Sequence, residues 1–386
     1  MRYLFGLALL CTTLSACLSN ENRSSVSLPF SKVKYSTASK DVSLWSYRYP
    51  ISGMNPSALA LIDAYHRGVQ DIVVANSGSS NVSLFKNLGN GSFKEVALFN
   101  TCPGGSSIDA EDLTGDGYDD FLVTCPENNV MSLFIGDGNG NFVRHDIPVS
   151  QGILGAQAAP HVNQPGTPFL SILHDGPAKL DLFANQGSGN FVFAKELPVP
   201  ASPIAFISDR FTPDGSISYA VVSAVGSTFS VYLNHQQRFE RQDYPAPEGA
   251  SSIVTLDMRT LGIMDLAVTS GTQNLFRIYF NDGAGNFPTS KEYSVPGGPI
   301  SGLGTSHLRG STQAELITQV TTTGDIVIYP NLGNGALGQP EVIHAGSSLT
   351  GLATGNFVHQ SDGMDIALID SLSSELVILL NEKDNY

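Results

Sequence analysis

The sequence predicts an all-β chain of seven like units, and three observations carry that expectation. A glycine-rich turn recurs at a near-constant interval, a short apolar run precedes each copy, and no stretch shows the 3.6-residue apolar period of a helix. The turn reads Asn-Leu-Gly-Asn-Gly-Ser-Phe at 87–93, Gly-Asp-Gly-Asn-Gly-Asn-Phe at 136–142 and Asn-Gln-Gly-Ser-Gly-Asn-Phe at 185–191. Further copies occupy 234–239, 281–287, 331–337 and, in worn form, 381–386. Their last residues fall at 93, 142, 191, 239, 287, 337 and 386, so successive copies lie 48 to 50 residues apart.

Each interval has room for four short strands. In the second unit these are expected at 107–110, 120–123, 130–134 and 142–147, and runs such as 71–74, 265–268 and 365–368 repeat the second of them. A unit of roughly 40–50 residues holding four strands is one propeller blade, whereas helical solenoids need the apolar period that is missing. The expected architecture is therefore a seven-bladed β-propeller of four-stranded antiparallel blades. The last unit ends before any fourth strand, while Val-Ser-Leu-Trp-Ser-Tyr-Arg-Tyr at 42–49 precedes the first. That N-terminal strand is expected to close the ring by completing the last blade, which leaves no long free sheet edge.

The chain opens with Met1-Arg2-Tyr3 and an apolar stretch from Leu4 to Leu10, far short of the roughly 20 residues a membrane-spanning helix needs; this is a signal peptide. It runs into Leu14-Ser15-Ala16-Cys17, which resembles the lipobox of bacterial lipoproteins. The resemblance implies that residues 1–16 are removed and that Cys17 carries the lipid, giving a membrane anchor; an ordinary signal peptide cut near Ala16, with Cys17 incidental, is the alternative. Leu18-Ser19 rather than Asp follows the Cys, which by likeness to enteric lipoproteins implies an outer-membrane lipoprotein of the bacterial cell envelope. Residues 17–40 contain seven Ser and little apolar periodicity, the composition of a flexible tether, and 41–386 form the propeller.

With 20 Lys and Arg against 35 Asp and Glu the net charge is −15, and removing 1–16 takes away only the cation of Arg2. Binding to a phosphate backbone depends on Lys and Arg displacing counterions, so no nucleic-acid partner is expected.

Asp112-Leu113-Thr114-Gly115-Asp116-Gly117-Tyr118-Asp119-Asp120, followed by Phe121-Leu122-Val123, resembles the FG-GAP/VCBS repeat, the blade type of integrin α-chains. In that family the loop between the first two strands holds Ca2+ through oxygens at alternate positions. Carried over, the metal ligands are Asp112, Thr114, Asp116, Tyr118 through its carbonyl, and Asp120. Ca2+ is a hard cation wanting six to eight oxygens, which this set suits; Thr114 stands where the family usually has Asp or Asn and offers a neutral oxygen. The equivalent loops carry Arg67, Arg259 and Arg309, whose guanidinium groups are expected to neutralise the acids without metal. The turns at Asp137 and Asp282 look like metal loops too, but glycine and asparagine turn chemistry accounts for them. One Ca2+ site is the expectation.

Cys102 and Cys125 flank the first two strands of the second unit, whose antiparallel pairing brings those ends together. In an exported protein they either form a disulfide or remain buried free thiols. No catalytic residue is assigned. Gly333 to Gly338 formally matches a dinucleotide fingerprint but is the sixth copy of the turn, no Gly-x-Ser-x-Gly elbow occurs, and the eight His lack metal-ligand spacing. The resemblance implies a non-catalytic, monomeric propeller that binds a protein or glycan ligand, or scaffolds an envelope complex. A polysaccharide-active, lyase-like enzyme on a Ca2+-stabilised propeller is the alternative.

Overall fold

The apolar runs pair into seven antiparallel sheets, and in blades 1 to 6 the strands follow chain order from inner to outer edge. The computed structural model describes residues 33–36, 42–160, 168–236, 238–310, 312–358 and 363–381. The signal peptide, Cys17 and most of the Ser-rich segment lie outside the described residues. Blade 1 comprises Pro56–Ile62, Asp71–Asn76, Asn81–Asn87 and Phe93–Asn100, and blade 2 comprises Ser107–Glu111, Asp120–Cys125, Val130–Gly136 and Phe142–Pro148. The inner strands of blades 3 to 7 are Ile153–Pro160, Pro203–Arg210, Ala250–Leu256, Ile300–Ser306 and Leu349–Gly355. No helix occurs among the described residues.

Burial explains why the second strands read as unbroken apolar runs. Asp71–Asn76, Asp120–Cys125, Asp265–Ser270, Glu315–Val320 and Asp365–Asp370 are buried at every position, because a neighbouring blade covers each of their two faces. The outer strand Phe93–Asn100 alternates buried or half-buried with exposed positions instead, having one wet face. The buried apolar side chains fall into seven clusters, and each cluster lies between two adjoining blades. The core is thus a set of wedges around the axis, and closing the ring completes the last of them.

Closure follows the sequence expectation. Ser43–Pro50 pairs with Glu375–Asn381, the third strand of blade 7, with Leu44 opposite Asn381 and Pro50 opposite Glu375. Val42 and Leu44, both fully buried, join the cluster between blades 6 and 7. Arg48 on the closing strand reaches Glu375 at 2.7 Å and Asp370 at 3.4 Å, adding an ionic contact to the backbone ladder. The segment expected as tether differs at its end: Val33–Ser36 pairs antiparallel with Ser43–Pro50 and gives blade 7 a fifth strand. Tyr35 packs there on the core between blades 6 and 7, which explains why four residues of a Ser-rich stretch are ordered.

Candidate functional site

The loops between first and second strands share one rim of the propeller with the recurring glycine turns between third and outer strands. In blades 1, 2 and 5 the loop starts from an aspartate that folds the backbone around its own carboxylate. In blade 2, Asp112 Oδ1 accepts the N–H of Gly115 at 2.6 Å and of Asp116 at 3.1 Å, and Oδ2 accepts that of Gly117 at 2.9 Å. Gly115 and Gly117 have φ of 78° and 91°, the left-handed region that glycine enters without a Cβ clash. Asp63 in blade 1 holds Arg67 and Gly68 in the same way, and Asp257 in blade 5 holds Arg259, Leu261 and Gly262.

In blades 1, 2, 5, 6 and 7 an acid closes the loop, opens the second strand and is buried. Asp120 Oδ2 accepts from the amides of Leu113 and Thr114, both at 2.9 Å, while Oδ1 accepts from Gly136 at 2.8 Å. Asp71, Asp265 and Asp365 bond the amides of Asn87, Asn281 and Asn381 equivalently, each 16 residues on. One carboxylate therefore ties the loop to the end of the third strand.

What differs is the countercharge. Arg67 reaches Asp71 at 2.8 Å, Arg259 reaches Asp265 at 2.7 Å, and Arg309 reaches Glu315 at 3.2 Å and Glu341 at 2.8 Å. The guanidinium groups sit on the loop acids as the sequence indicated. Blade 2 has no such Arg, and burial, opposed by the bonds from Gly136 and Thr114, pushes the Asp120 carboxyl up to about 6. Asp71, despite Arg67, is also pushed up by burial to about 6.

The structure places the five sequence-assigned residues on one loop. Asp112 and Asp120 face loop amides, Thr114 Oγ1 lies 3.5 Å from Asp112 Oδ1, and Asp116 Oδ1 accepts the Tyr118 N–H at 2.9 Å. The Tyr118 ring stands edge-on to His66 of blade 1, centroids 5.2 Å apart. Among the described residues no three acidic, His or Cys side chains are gathered as a metal cluster. The donor set is nonetheless all oxygen, Asp112 Oδ2, Asp116 Oδ1 and Asp120 Oδ1 each accept one amide bond and keep lone-pair capacity beyond it, and the cation present in blades 1, 5 and 6 has no side-chain counterpart here. By these criteria the loop's chemistry fits Ca2+.

The turns at Asp137 and Asp282 are self-contained. Asp137 accepts from the amides of Asn139 and Asn141 and from the Asn141 side chain, and Asp282 repeats this with Ala284 and Asn286. Cys102 and Cys125 are joined as a disulfide with their Cα atoms 5.9 Å apart.

Sequence reasoning missed the role of the asparagine that begins most turns. Its amide reaches the preceding blade: Asn87 Nδ2 bonds Phe357 O and Asn281 Nδ2 bonds Phe211 O, both at 2.9 Å, and Asn331 Nδ2 bonds Asp257 O at 3.1 Å. Asn185 and Asn381 reach Leu113 O and Leu308 O alike. Its recurrence was visible, but nothing in the sequence distinguishes a seam bond from turn preference. Blade 2 has Gly136 instead, where a Cβ would come within 2.3 Å of Asp119 O. That seam is held by Gly140 N–H to Ala64 O at 2.8 Å and Asp63 N–H to Asp119 Oδ2 at 2.7 Å.

Blade 3 carries its buried charges at the opposite end of the sheet. Lys179 lies 2.8 Å from Asp181 and 3.2 Å from Glu196, and His174 Nε2 lies 3.3 Å from Asp181. The amine sits 3.1 Å from Ser150 Oγ, but desolvation is outweighed by its two carboxylates, which raise the ammonium's pKa and oppose any role as a base. Burial lowers that of His174.

Comparison with known proteins agrees with this architecture. Residues 66–123 match the FG-GAP-like repeat family, a span that runs from the first loop through the Asp112–Asp120 loop into the second strand of blade 2. No curated protein matches the sequence. Among solved structures, BBS1N in complex with ARL6DN superposes with a TM-score of 0.64 at 12% identity, over 88% of this chain and 96% of that one. An Agrocybe aegerita lectin described as recognising non-reducing terminal N-acetylglucosamine gives 0.56 at 13% identity, over 90% and 98%. Saccharomyces cerevisiae Sqt1 gives 0.59 at 9% identity, over 86% of each chain. At these identities the likeness is one of fold.

Proposed function

We propose that this seven-bladed propeller, which carries an FG-GAP-like repeat, is a non-catalytic receptor or scaffold tethered to the bacterial outer membrane through a lipid on Cys17. The observation that carries the reading is the loop rim. Its backbone is fixed by carboxylate-to-amide bonds, and its tips expose Tyr118, Leu261 and Leu332, at 37%, 61% and 56%. A rigid frame presenting aromatic and apolar tips over an acidic body is suited to binding a preformed partner at small ordering cost. The ligand is a protein or a glycan; two structural neighbours, BBS1N with its ARL6DN partner and the N-acetylglucosamine-recognising lectin, give precedent for each on this fold. Ca2+ held by Asp112, Thr114, Asp116, Tyr118 and Asp120 would supply the positive charge that arginine supplies elsewhere and stiffen the rim.

The test combines a glycan array with cross-linking on intact cells, each run with and without chelator and with Tyr118→Ala and Leu261→Asp/Leu332→Asp variants. Specific capture that these variants abolish supports the reading. Chain shortening of an added polysaccharide, dependent on Ca2+, would replace it with the lyase-like one. Cys17→Ala is expected to move the protein from the membrane to the soluble fraction and to remove palmitate labelling.

A further inference from the structure

We propose that the propeller axis holds a pocket for a single cationic group, an alkylammonium or guanidinium, seated against Asp109. The inner strands of blades 2 to 5 enclose a cavity of about 360 Å³ there, within the size range of small-ligand sites. Leu154, Ile204, Phe206 and Ile253 give it apolar walls, and Asp109 and Gln157 face it as polar groups. Gln157 is fixed in place, its Oε1 accepting the N–H and hydroxyl of Ser208 at 3.0 and 3.2 Å. Above Gly155 the space is open: a Cβ there would meet nothing nearer than Ser107 Oγ at 3.7 Å.

Asp109 is the acid that lines this cavity. It accepts two backbone N–H bonds, from Ala110 at 3.1 Å and Ala158 at 2.8 Å, and among the described residues no cationic side chain lies within ion-pair distance. Of the buried acids, Asp71, Asp181, Asp265, Glu315 and Asp370 each have an Arg or Lys within that distance, while Asp120 on the loop rim has none among the described residues. Burial pushes the Asp109 carboxyl up to about 6. A cation entering the cavity relieves the Asp109 carboxylate, while its alkyl stem lies on the apolar walls. An uncharged isostere gains only the second of these contributions. The pocket lies on the axis, so it stands whether or not the loop rim binds the partner proposed above.

The test titrates the mature chain with argininamide, n-butylammonium and the uncharged citrullinamide, by calorimetry at pH 7.5. Argininamide is expected to bind at least tenfold more tightly than citrullinamide, and Asp109→Asn to lose at least tenfold in argininamide affinity. Gly155→Leu fills the cavity without touching a carboxylate and is expected to abolish binding with the thermal midpoint retained; it serves as the decisive variant if Asp109→Asn fails to fold. Acetyl-Gly-Arg-Gly-amide separates two sources of the cation. If it binds as well as argininamide, the pocket takes a side chain of a protein partner; if it is excluded, the pocket takes a free small cation. Equal affinity for argininamide and citrullinamide, or argininamide binding untouched by Gly155→Leu, overturns the proposal.

Discussion

The loop of blade 2 and that of blade 5 bend around the same aspartate, yet a side-chain cation meets the buried acid in blade 5 and not in blade 2. Asp112 and Asp257 bind the amide five residues on in both, and Asp120 and Asp265 both bond the third strand. Blade 5 brings Arg259 onto its buried acid, and blade 2 brings no side chain. Loop shape is therefore set by carboxylate-to-amide bonding, which survives a change of countercharge. Whether an arginine meets the buried acid is a separate choice, open to change blade by blade.

The largest effect expected from breaking this comparison is in blade 5. Arg259→Ala leaves Asp265, fully buried, without its cation and removes a bond to Asn281 O. Breaking a buried pair on one side costs about 3–5 kcal/mol, and because Arg259 is partly in contact with water the expected loss is about 3 kcal/mol. Denaturant unfolding of the variant measures it. A loss under about 1 kcal/mol would show that the guanidinium is decorative and that amide bonds alone carry the loop.

Ca2+ removal is the corresponding operation on blade 2. At a hundredfold excess over Kd a bound ion adds about 2.7 kcal/mol, so chelation is expected to lower the thermal midpoint by several degrees. Thr114 and Arg259 occupy the same third position of their loops, which makes Thr114→Arg a transplant of the blade 5 solution. That variant should lose the response to Ca2+ and chelator and hold the wild-type midpoint without metal. Equal Ca2+ responses in the two proteins would place the ion elsewhere or nowhere.

Much of the fold was legible because a propeller repeats its own grammar. The turn sequences carry glycines where φ must be positive, the middle strands carry unbroken apolar runs because both faces are covered, and the strand at 42–49 stands where the last blade lacks one. Arg67, Arg259 and Arg309 were legible as countercharges because they fall inside an acidic loop pattern. Contacts that cross between blades were less visible. The Asn87 and Asn281 seam bonds join residues 270 and 70 positions apart, and a local preference for asparagine in turns hides them. Val33–Ser36 was hidden as well, since four residues in a Ser-rich stretch show no period; only the edge of blade 7 and the core under Tyr35 make them a strand. Asp109 looked like any acid in a strand until the ring placed it on a cavity.

Acidity sharpens the comparison further. The Asp120 carboxyl rises from its ordinary value near 3.9 to about 6, so between those pH values the folded state binds the proton and the unfolded state does not. Stability from this group therefore falls as pH rises through that window, and at pH 7 without metal the folded state carries an uncompensated charge. Going from pH 7 to 5 is expected to relieve roughly 1 kcal/mol at Asp120, and Asp120→Asn should remove that share of the pH dependence. Asp71 titrates near the same pH, so the informative quantity is the difference between wild type and variant profiles. Because Ca2+ needs the ionised form, its stabilising effect should also fade over this range; a Ca2+ effect independent of pH would separate the ion from Asp120.

The smallest expected effect tests whether burial, rather than the guanidinium–carboxylate pair itself, makes Arg259 matter. Arg241 and Asp243 on the outer strand Arg238–Pro245 form a bidentate contact at 2.7 and 3.0 Å, as short as that of Arg259 with Asp265. Both partners are exposed, at 41% and 52%, so water solvates either one when the other is removed. Exposed pairs are worth about 0–1 kcal/mol, and Arg241→Ala is expected to cost less than about 0.5 kcal/mol, several-fold below Arg259→Ala. Comparable losses at the two sites would mean that pair geometry outweighs desolvation here, and the contrast drawn between blades 2 and 5 would lose its physical basis.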